Sequence, residues 1–289
     1  MDLQQLIYFK RAAELGNISA AAREFRVVQS AVSTQIKNLE YELGAEFFER
    51  THNRLVLNDN GRILYRHASE ILGLVKDAGK ELADIAGKQQ KELTLSVETV
   101  PLLLPDIIQG FCRSYPDIKI RLLQYQKDFE MENLEYDLML NFSPEARKEE
   151  NSILIYEEEI LLAVPFSHPL SGRDSVRLEE LSGEAFIERS SLSELRVMTE
   201  AYFRLFRPQV VAVCDYPPML NALISSGVGM AFLPRLSAAG NGEAEFALVR
   251  VADFSLKRWI YMKWRKNSYL SEPMQCFLNY AEAFFGKYS

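Results

Sequence analysis

Ser19-Ala-Ala-Ala-Arg-Glu-Phe25, then Arg26-Val27-Val28, then Gln29-Ser-Ala-Val-Ser-Thr-Gln-Ile-Lys-Asn-Leu-Glu-Tyr-Glu-Leu43 reads as a short helix, a three-residue break and a longer helix with two unlike faces. At about 100° per residue, Val32, Ile36, Leu39 and Leu43 share one narrow sector. Gln29 opens the longer helix, and Ser30, Ser33, Thr34 and Lys37 fall on its opposite side. That side is small, polar and uncharged except for Lys37. A merely solvated helix face carries more Glu and Lys; a face that must hydrogen-bond inside a groove needs short hydroxyls, amides and a few cations. The predicted arrangement is a helix-turn-helix with Gln29–Leu43 as the recognition helix.

Working outward, Asp2–Leu15 has Leu3, Leu6, Phe9 and Ala13 at helical spacing, with Gly16 placed to end the helix. Ser19 is expected to cap the next helix. Beyond Gly44, Phe47-Phe48-Glu49-Arg50 and Leu55-Val56-Leu57 bracket a polar turn at Thr51-His52-Asn53. We read these as a two-stranded wing, with Arg50 and Arg54 on its arms to contact phosphates. From Asn58 or Asp59 a helix of about 40 Å continues to Ile85. Its Leu64, Ala68, Ile71, Val75, Ala78, Leu82 and Ile85 alternate spacings of four and three, a heptad seam that calls for a partner helix. The stretch from Gly87 to Glu92 reads as a hinge.

Charge is distributed unevenly. The net charge is −7. Residues 1–66 nevertheless hold nine Lys and Arg against eight Asp and Glu, a balance of +1 that leaves −8 for the remainder. The basic surface is local and modest, so useful affinity for a polyanion requires two or more copies acting together. The 289 residues suffice for two domains, and a composition 48% hydrophobic and 25% charged describes a globular protein. No apolar run approaches a membrane span, and the N-terminus lacks the features of an export signal, so a cytoplasmic location is expected. Cys112, Cys214 and Cys276 lie far apart without paired spacing.

The residues Ala21-Ala22, Gln29-Ser30-Ala31-Val32-Ser33, Gln35-Ile36, Leu39-Glu40, Leu43-Gly44, Phe48-Glu49-Arg50, and Leu57 followed by Gly61 resemble the N-terminal domain of LysR-type transcriptional regulators over residues 1–62. Two departures are visible. Val28 stands where the family often has a hydroxyl residue capping the recognition helix, leaving Ser30 or nothing as the cap. Asn58 replaces the usual threonine at the start of the linker helix.

Farther on, Leu93–Val97, Ile118–Leu123 and Tyr136–Leu140 read as strands separated by a helix over Leu102–Ser114. Ile160–Val164, Ala185–Ile187, Val210–Cys214, Met230–Leu233 and Trp259–Trp264 are further strands. Leu192–Phe206, Pro218–Ser226 and Glu272–Phe285 are further helices. The alternation implies a largely parallel sheet. Tyr115-Pro116, Tyr136-Asp137-Leu138, His168-Pro169-Leu170 and Gly227–Pro234 resemble, in this order, the same family's effector-binding domain.

The expected fold is therefore multidomain. It comprises an all-α winged helix-turn-helix domain over 1–58, a dimerising linker helix with hinge over 59–88, and an α/β effector-binding domain over 89–289. The last consists of two subdomains like those of periplasmic binding proteins, about 89–161 with 265–289 and about 162–264.

In open α/β sheets ligands sit beyond the carboxyl ends of strands. Four loops meet that condition, and in the family they line the cleft between subdomains. They contribute Thr99 and Val100, Phe142 and Ser143, Arg189 with Ser190 and Ser191, and Val228. Hydroxyls and one guanidinium suggest a small organic anion, although Glu98 and Glu188 argue against a strongly charged one. The same hydroxyls also suit helix caps, and Arg189 also suits an exposed ion pair.

No P-loop, Gly-x-Ser-x-Gly or Cys-x-x-Cys occurs, the three histidines lack metal-ligand spacing, and no cofactor is expected. The resemblance implies a transcriptional regulator, not an enzyme. Its implied partners are double-stranded DNA, a small-molecule effector and further copies of itself, as a dimer or tetramer. The residues alone leave open a small-molecule-binding or enzymatic α/β body whose helix-turn-helix serves protein contacts.

Overall fold

The computed structural model describes residues 1–51, 54–87, 91–100, 102–124, 136–191, 193–239 and 245–288. The chain divides into two units. One gathers the described residues of Met1–Gln90 with Asn267–Ser271; the other gathers the described residues from 91 to 266 and from 272 to 288.

In the first unit α1 (Leu3–Leu15) opens on a capping box. The Asp2 carboxylate accepts from the Gln5 amide at 2.8 Å, and the Gln5 side chain accepts from the Asp2 amide at 2.9 Å. The helix ends on Gly16 at φ 59°. The next helix, α2 (Ile18–Glu24), starts two residues earlier than a cap at Ser19 requires. Its cap is Asn17, whose Oδ1 accepts from the Ala20 amide at 3.0 Å. Ser19 is already inside the helix, which corrects its expected role.

The recognition helix α3 (Gln29–Leu43) keeps the expected bounds and has no side-chain cap at Val28. Val32, Ile36 and Leu39 are buried with Leu6, Phe9, Ala21, Ala22 and Phe47. Leu43 is 45% exposed, because the core stops at Leu39 and the last turn projects past it.

The wing strands β1 (Phe48–Thr51) and β2 (Arg54–Leu57) pair antiparallel, Arg50 opposite Leu55 and Thr51 opposite Arg54. His52 and Asn53, expected at the wing's tip, lie outside the described residues. Asn58 caps α4 (Asp59–Ile85) by accepting from the Gly61 amide at 2.9 Å, while its Nδ2 donates to the Glu46 carbonyl. Tyr65 and Ala68 of this helix join the core. Farther along the seam Ile71, Val75, Leu82 and Ile85 are exposed, from 37% rising to 79%.

The second unit is built on β3 (Glu92–Val97), α5 (Leu104–Ser114), β4 (Lys119–Gln124) and β5 (Leu138–Ser143), with β4 and β5 parallel to β3 on either side. Then comes β6 (Ser152–Pro165), fourteen residues long. The expected strand began only at Ile160. After β7 (Ser175–Val176), β8 (Ala185–Glu188), α6 (Glu194–Phe203) and β9 (Gln209–Val213) form a parallel βαβ unit. The chain finishes with α7 (Pro217–Ser225), β10 (Ala231–Pro234), α8 (Arg235–Ala239), β11 (Phe246–Val251), β12 (Leu256–Lys263) and α9 (Glu272–Phe285).

The main sheet has the order β4-β3-β5-β12-β6-β11-β7, with β10 also on β6. It is mixed, not largely parallel: β12 runs antiparallel to β5 and β6, and β6 is antiparallel to β10 and β11. The long strands β6 and β12 form a ribbon from Lys263 opposite Ser152 to Leu256 opposite Ile160, with a register shift between Ile260 and Tyr261.

Tyr202 of α6 is fully buried in a cluster with Phe186, Phe206 and Phe232. Its hydroxyl accepts from the Leu256 amide at 3.0 Å and donates to the Phe254 carbonyl at 3.4 Å. Burial pushes its pKa up to about 12, partly countered by the Leu256 amide. Below the unfolded pKa of about 10 the hydroxyl is neutral in both states, so its full contribution is present there. Between pH 10 and 12 the unfolded chain loses the proton first, and stability falls by about 2–3 kcal/mol. Urea titrations across this window should show the fall in the parent and a shallower one in Tyr202→Phe; equal slopes would refute the assignment.

Candidate nucleic-acid interface and ligand cleft

Helix α3 separates its two faces cleanly. Val32 and Leu39 are completely buried and Ile36 nearly so, whereas Gln29, Ser30, Thr34 and Lys37 are exposed and Ser33 is half-buried. The apolar face is fixed by α1 and α2, which orients the polar face outward. Nearby cations differ in their engagement. Arg11 is held by Glu14 and Glu24, and Arg62 by Asp59. Lys37 has no carboxylate partner among the described residues. Arg50 and Arg54 occupy facing arms of the wing, one residue out of register with each other.

In the second unit Thr99 and Val100 follow β3 and Arg189, Ser190 and Ser191 follow β8 as expected, whereas Phe142 and Ser143, expected in a loop, are the last two residues of β5 and pair with Ile260 and Trp259 of β12. Ser96 and Thr99 are buried, and among the described residues neither hydroxyl has a hydrogen-bond partner, nor does the buried Asn141 Oδ1. Buried polar atoms are nearly always satisfied, so these three orphaned groups on and just after neighbouring strands make this a candidate place for a ligand. Val100 is fully buried at φ 49°, a strained conformation for a β-branched residue.

The Ser143 hydroxyl is occupied, accepting from the Glu145 amide at 3.2 Å. Arg189 donates from Nη2 to the Asp215 carbonyl at 2.8 Å, and its Nε lies 3.7 Å from Asp215 Oδ1, buried without a hydrogen bond. Burial lowers its pKa, and the Asp215 carboxylate opposes that shift. The Ser190 amide donates to the same Asp215 oxygen at 3.0 Å. Ser191 and Val228 are exposed. Glu188 is neutralised by Arg196 at 3.4 Å, which removes one objection to an anionic ligand.

The sequence gives no sign of a buried pair that lies beside Phe142. Glu158 of β6 and Arg258 of β12 stand directly opposite each other in the ribbon. Their buried side chains meet with Nε to Oε1 at 2.6 Å. Glu158 Oε2 accepts from the Leu236 amide of α8 at 2.8 Å, and the guanidinium covers the Phe142 ring at 4.8 Å. Burial lowers the Arg258 pKa, whereas Glu158 and, more weakly, Glu98 raise it; Arg258 in turn lowers that of Arg189. Arg258 thus touches Glu158 of β6 and Phe142 of β5 directly, and feels the charges of Glu98 after β3 and Arg189 after β8. A lysine-arginine dipeptide in a strand gives no hint of this, because the partner is 100 residues away.

Among the described residues no group of His, Cys, Asp and Glu has the makings of a metal site, and no helix is long and apolar enough to cross a membrane.

Residues 3–62 match the family model for bacterial regulatory helix-turn-helix proteins of the lysR family, and residues 86–286 match that for the LysR substrate binding domain. The chain is 30% identical to the HTH-type transcriptional regulator CfxR of Cupriavidus necator over 81% of its own length and 75% of that protein's. It is 28% identical to the transcriptional dual regulator GltC of Bacillus subtilis, covering 99% of this chain and 98% of GltC. In fold it resembles full-length OxyR from Pseudomonas aeruginosa, with TM-score 0.74 and 20% identity over 99% of this chain and 94% of that one. These relatives are regulators, not enzymes, which sets aside the enzymatic alternative. The chain belongs to the LysR family: it is a DNA-binding transcriptional regulator with a substrate-binding domain behind its helix-turn-helix.

Proposed function

We propose that Gln29, Ser30, Ser33, Thr34 and Lys37 meet base edges in the major groove, while Arg50 and Arg54 contact flanking phosphates. The observation that carries this reading is the two-faced α3, with its apolar side in the core and its hydroxyls turned outward. Residues 1–58 form the DNA-binding domain, 59–88 the linker, and 89–289 the effector-binding domain. Two copies pair along the exposed seam of α4, and pairs associate into tetramers in the cytoplasm. The exposed Ile71, Val75, Leu82 and Ile85 support the pairing, since a heptad stripe left in water gains most by packing on its equivalent.

The effector is a small organic anion held at Thr99, Val100, Phe142, Ser143, Arg189, Ser190, Ser191 and Val228. The buried Thr99 hydroxyl and Arg189 Nε, neither of them in a hydrogen bond among the described residues, support this placement. The ribbon between the two groups of loops provides the element that such a ligand biases.

DNA fragments retained by the protein from a genomic library supply an operator for the test. Ser33→Ala and Arg50→Ala should each weaken operator binding about tenfold. Only the arginine variant should also lower the salt dependence. Both variants holding the operator as tightly as the parent would remove this interface.

A further inference from the structure

The turn between α2 and α3 contains a conformational anomaly. Arg26 has φ 56°, one of three non-glycine residues with positive φ among the described residues, the others being Val100 and Asn267. The geometry demands it: the Arg26 amide donates to the Arg23 carbonyl at 3.2 Å and the Val27 amide to the Ala22 carbonyl at 3.0 Å. These bonds wrap the end of α2, and the chain must then reverse within three residues to begin α3 at Gln29. Glycine or asparagine adopts the left-handed conformation at less cost than a long side chain does.

Arg26 is exposed, and no carboxylate among the described residues holds it. Arg11, beneath the same pair of helices, is by contrast fully engaged by Glu14 and Glu24. A strained position with an unengaged cation is accounted for if the cation has a partner outside the chain. In a docked helix-turn-helix the start of the recognition helix enters the groove, and the preceding turn therefore stands over the sugar-phosphate edge.

We propose that Arg26 is a phosphate clamp, a positioning residue that fixes the depth and tilt of α3 in the groove without reading sequence. Folding stability at this turn is thereby exchanged for DNA affinity. The inference rests on the DNA interface described above, and it adds a backbone cost that an ordinary surface arginine does not carry.

The test uses the full-length protein and mixed-sequence duplex DNA, because phosphate contacts need no operator. Arg26→Gly removes the cation and the strain together. Hydrogen exchange at the α2 and α3 amides should slow about fivefold. Duplex affinity should drop about tenfold for each helix-turn-helix engaged. The slope of log K against log salt should become shallower by about 0.9 for each phosphate left without its arginine. Arg26→Asn should behave in the same way, and Arg26→Lys should retain both the affinity and the faster exchange.

This opposition, tighter fold with weaker binding, is what a merely structural arginine would not produce. Arg26→Gly and Arg26→Asn binding duplex with the parent's affinity and salt slope would overturn the clamp while leaving the interface intact. A parent protein with no salt-dependent duplex binding would overturn both.

Discussion

Replacing Glu158 with alanine should destabilise the C-terminal unit by about 3–5 kcal/mol, the usual cost of leaving one member of a buried ion pair alone. The Arg258 side chain is 5% exposed and that of Glu158 is wholly buried, so water cannot take the missing partner's place. The loss extends beyond the pair. The Leu236 amide loses its acceptor, and the guanidinium above Phe142 loses the carboxylate that orients it. A thermal transition lowered by about 10 °C is the corresponding observable for a unit of this size. Replacing both residues together, Glu158→Leu with Arg258→Met, should recover most of the loss, because an apolar pair of similar volume needs no partner. Chemical denaturation of parent, single and double variants gives the comparison directly. A single variant as stable as the parent would show that the pair is not confined as described.

Gly61→Ala should disrupt the other unit. A Cβ at this position would lie 2.1 Å from the Phe47 carbonyl oxygen and 2.8 Å from Leu57 Cδ2. The carbonyl belongs to the main chain and accepts from the Asn58 amide at 3.0 Å, so it has no freedom to step aside. The first turn of α4 would have to lift away from the wing, at about 3 kcal/mol. Wing arginines carried on β1 and β2 would then lose their fixed relation to α3. Weaker operator binding and faster proteolysis near the wing should accompany a lower melting temperature. Gly61→Ala melting within about a degree of the parent would contradict the close approach. The sequence pattern contains this glycine, but only the packing of helix on hairpin explains it.

How far the fold was readable depends on the range of each interaction. Val32, Ile36 and Leu39 are neighbours on one helix, so their spacing exposes a shared environment, and the bounds of α3 come from the chain alone. The αL end at Gly44 and the Asn58 cap are equally local. Ser19 misled because Asn17 and Ser19 both suit the cap, and one residue separates the alternatives.

Strand β6 misled for a different reason. It contains Glu157, Glu158 and Glu159 just before Ile160, an acidic run that hides how early the strand begins. In the folded ribbon Glu157 meets Lys257 at the surface, while Glu158 meets Arg258 inside. Alternation along the strand puts the two acids on opposite faces, but the buried partner of Glu158 is 100 residues away. The cleft was half readable. The end of a strand is predictable as a place for ligands, but the orphaned hydroxyls of Ser96 and Thr99 and the pairing of Arg258 with Glu158 depend on which strands lie side by side.

The shift of register between Ile260 and Tyr261 sets a rule for how this protein can vary in length. Side chains alternate along a strand, so one residue gained or lost between that shift and Glu158 would turn the acid outward and bring Glu157 or Glu159 in its place. The irregularity itself already holds an odd residue, and it alone can absorb such a change without inverting the rest of the strand. Descendants of this chain should therefore lengthen freely at loops yet keep the span from Tyr156 to Ile160 at constant count.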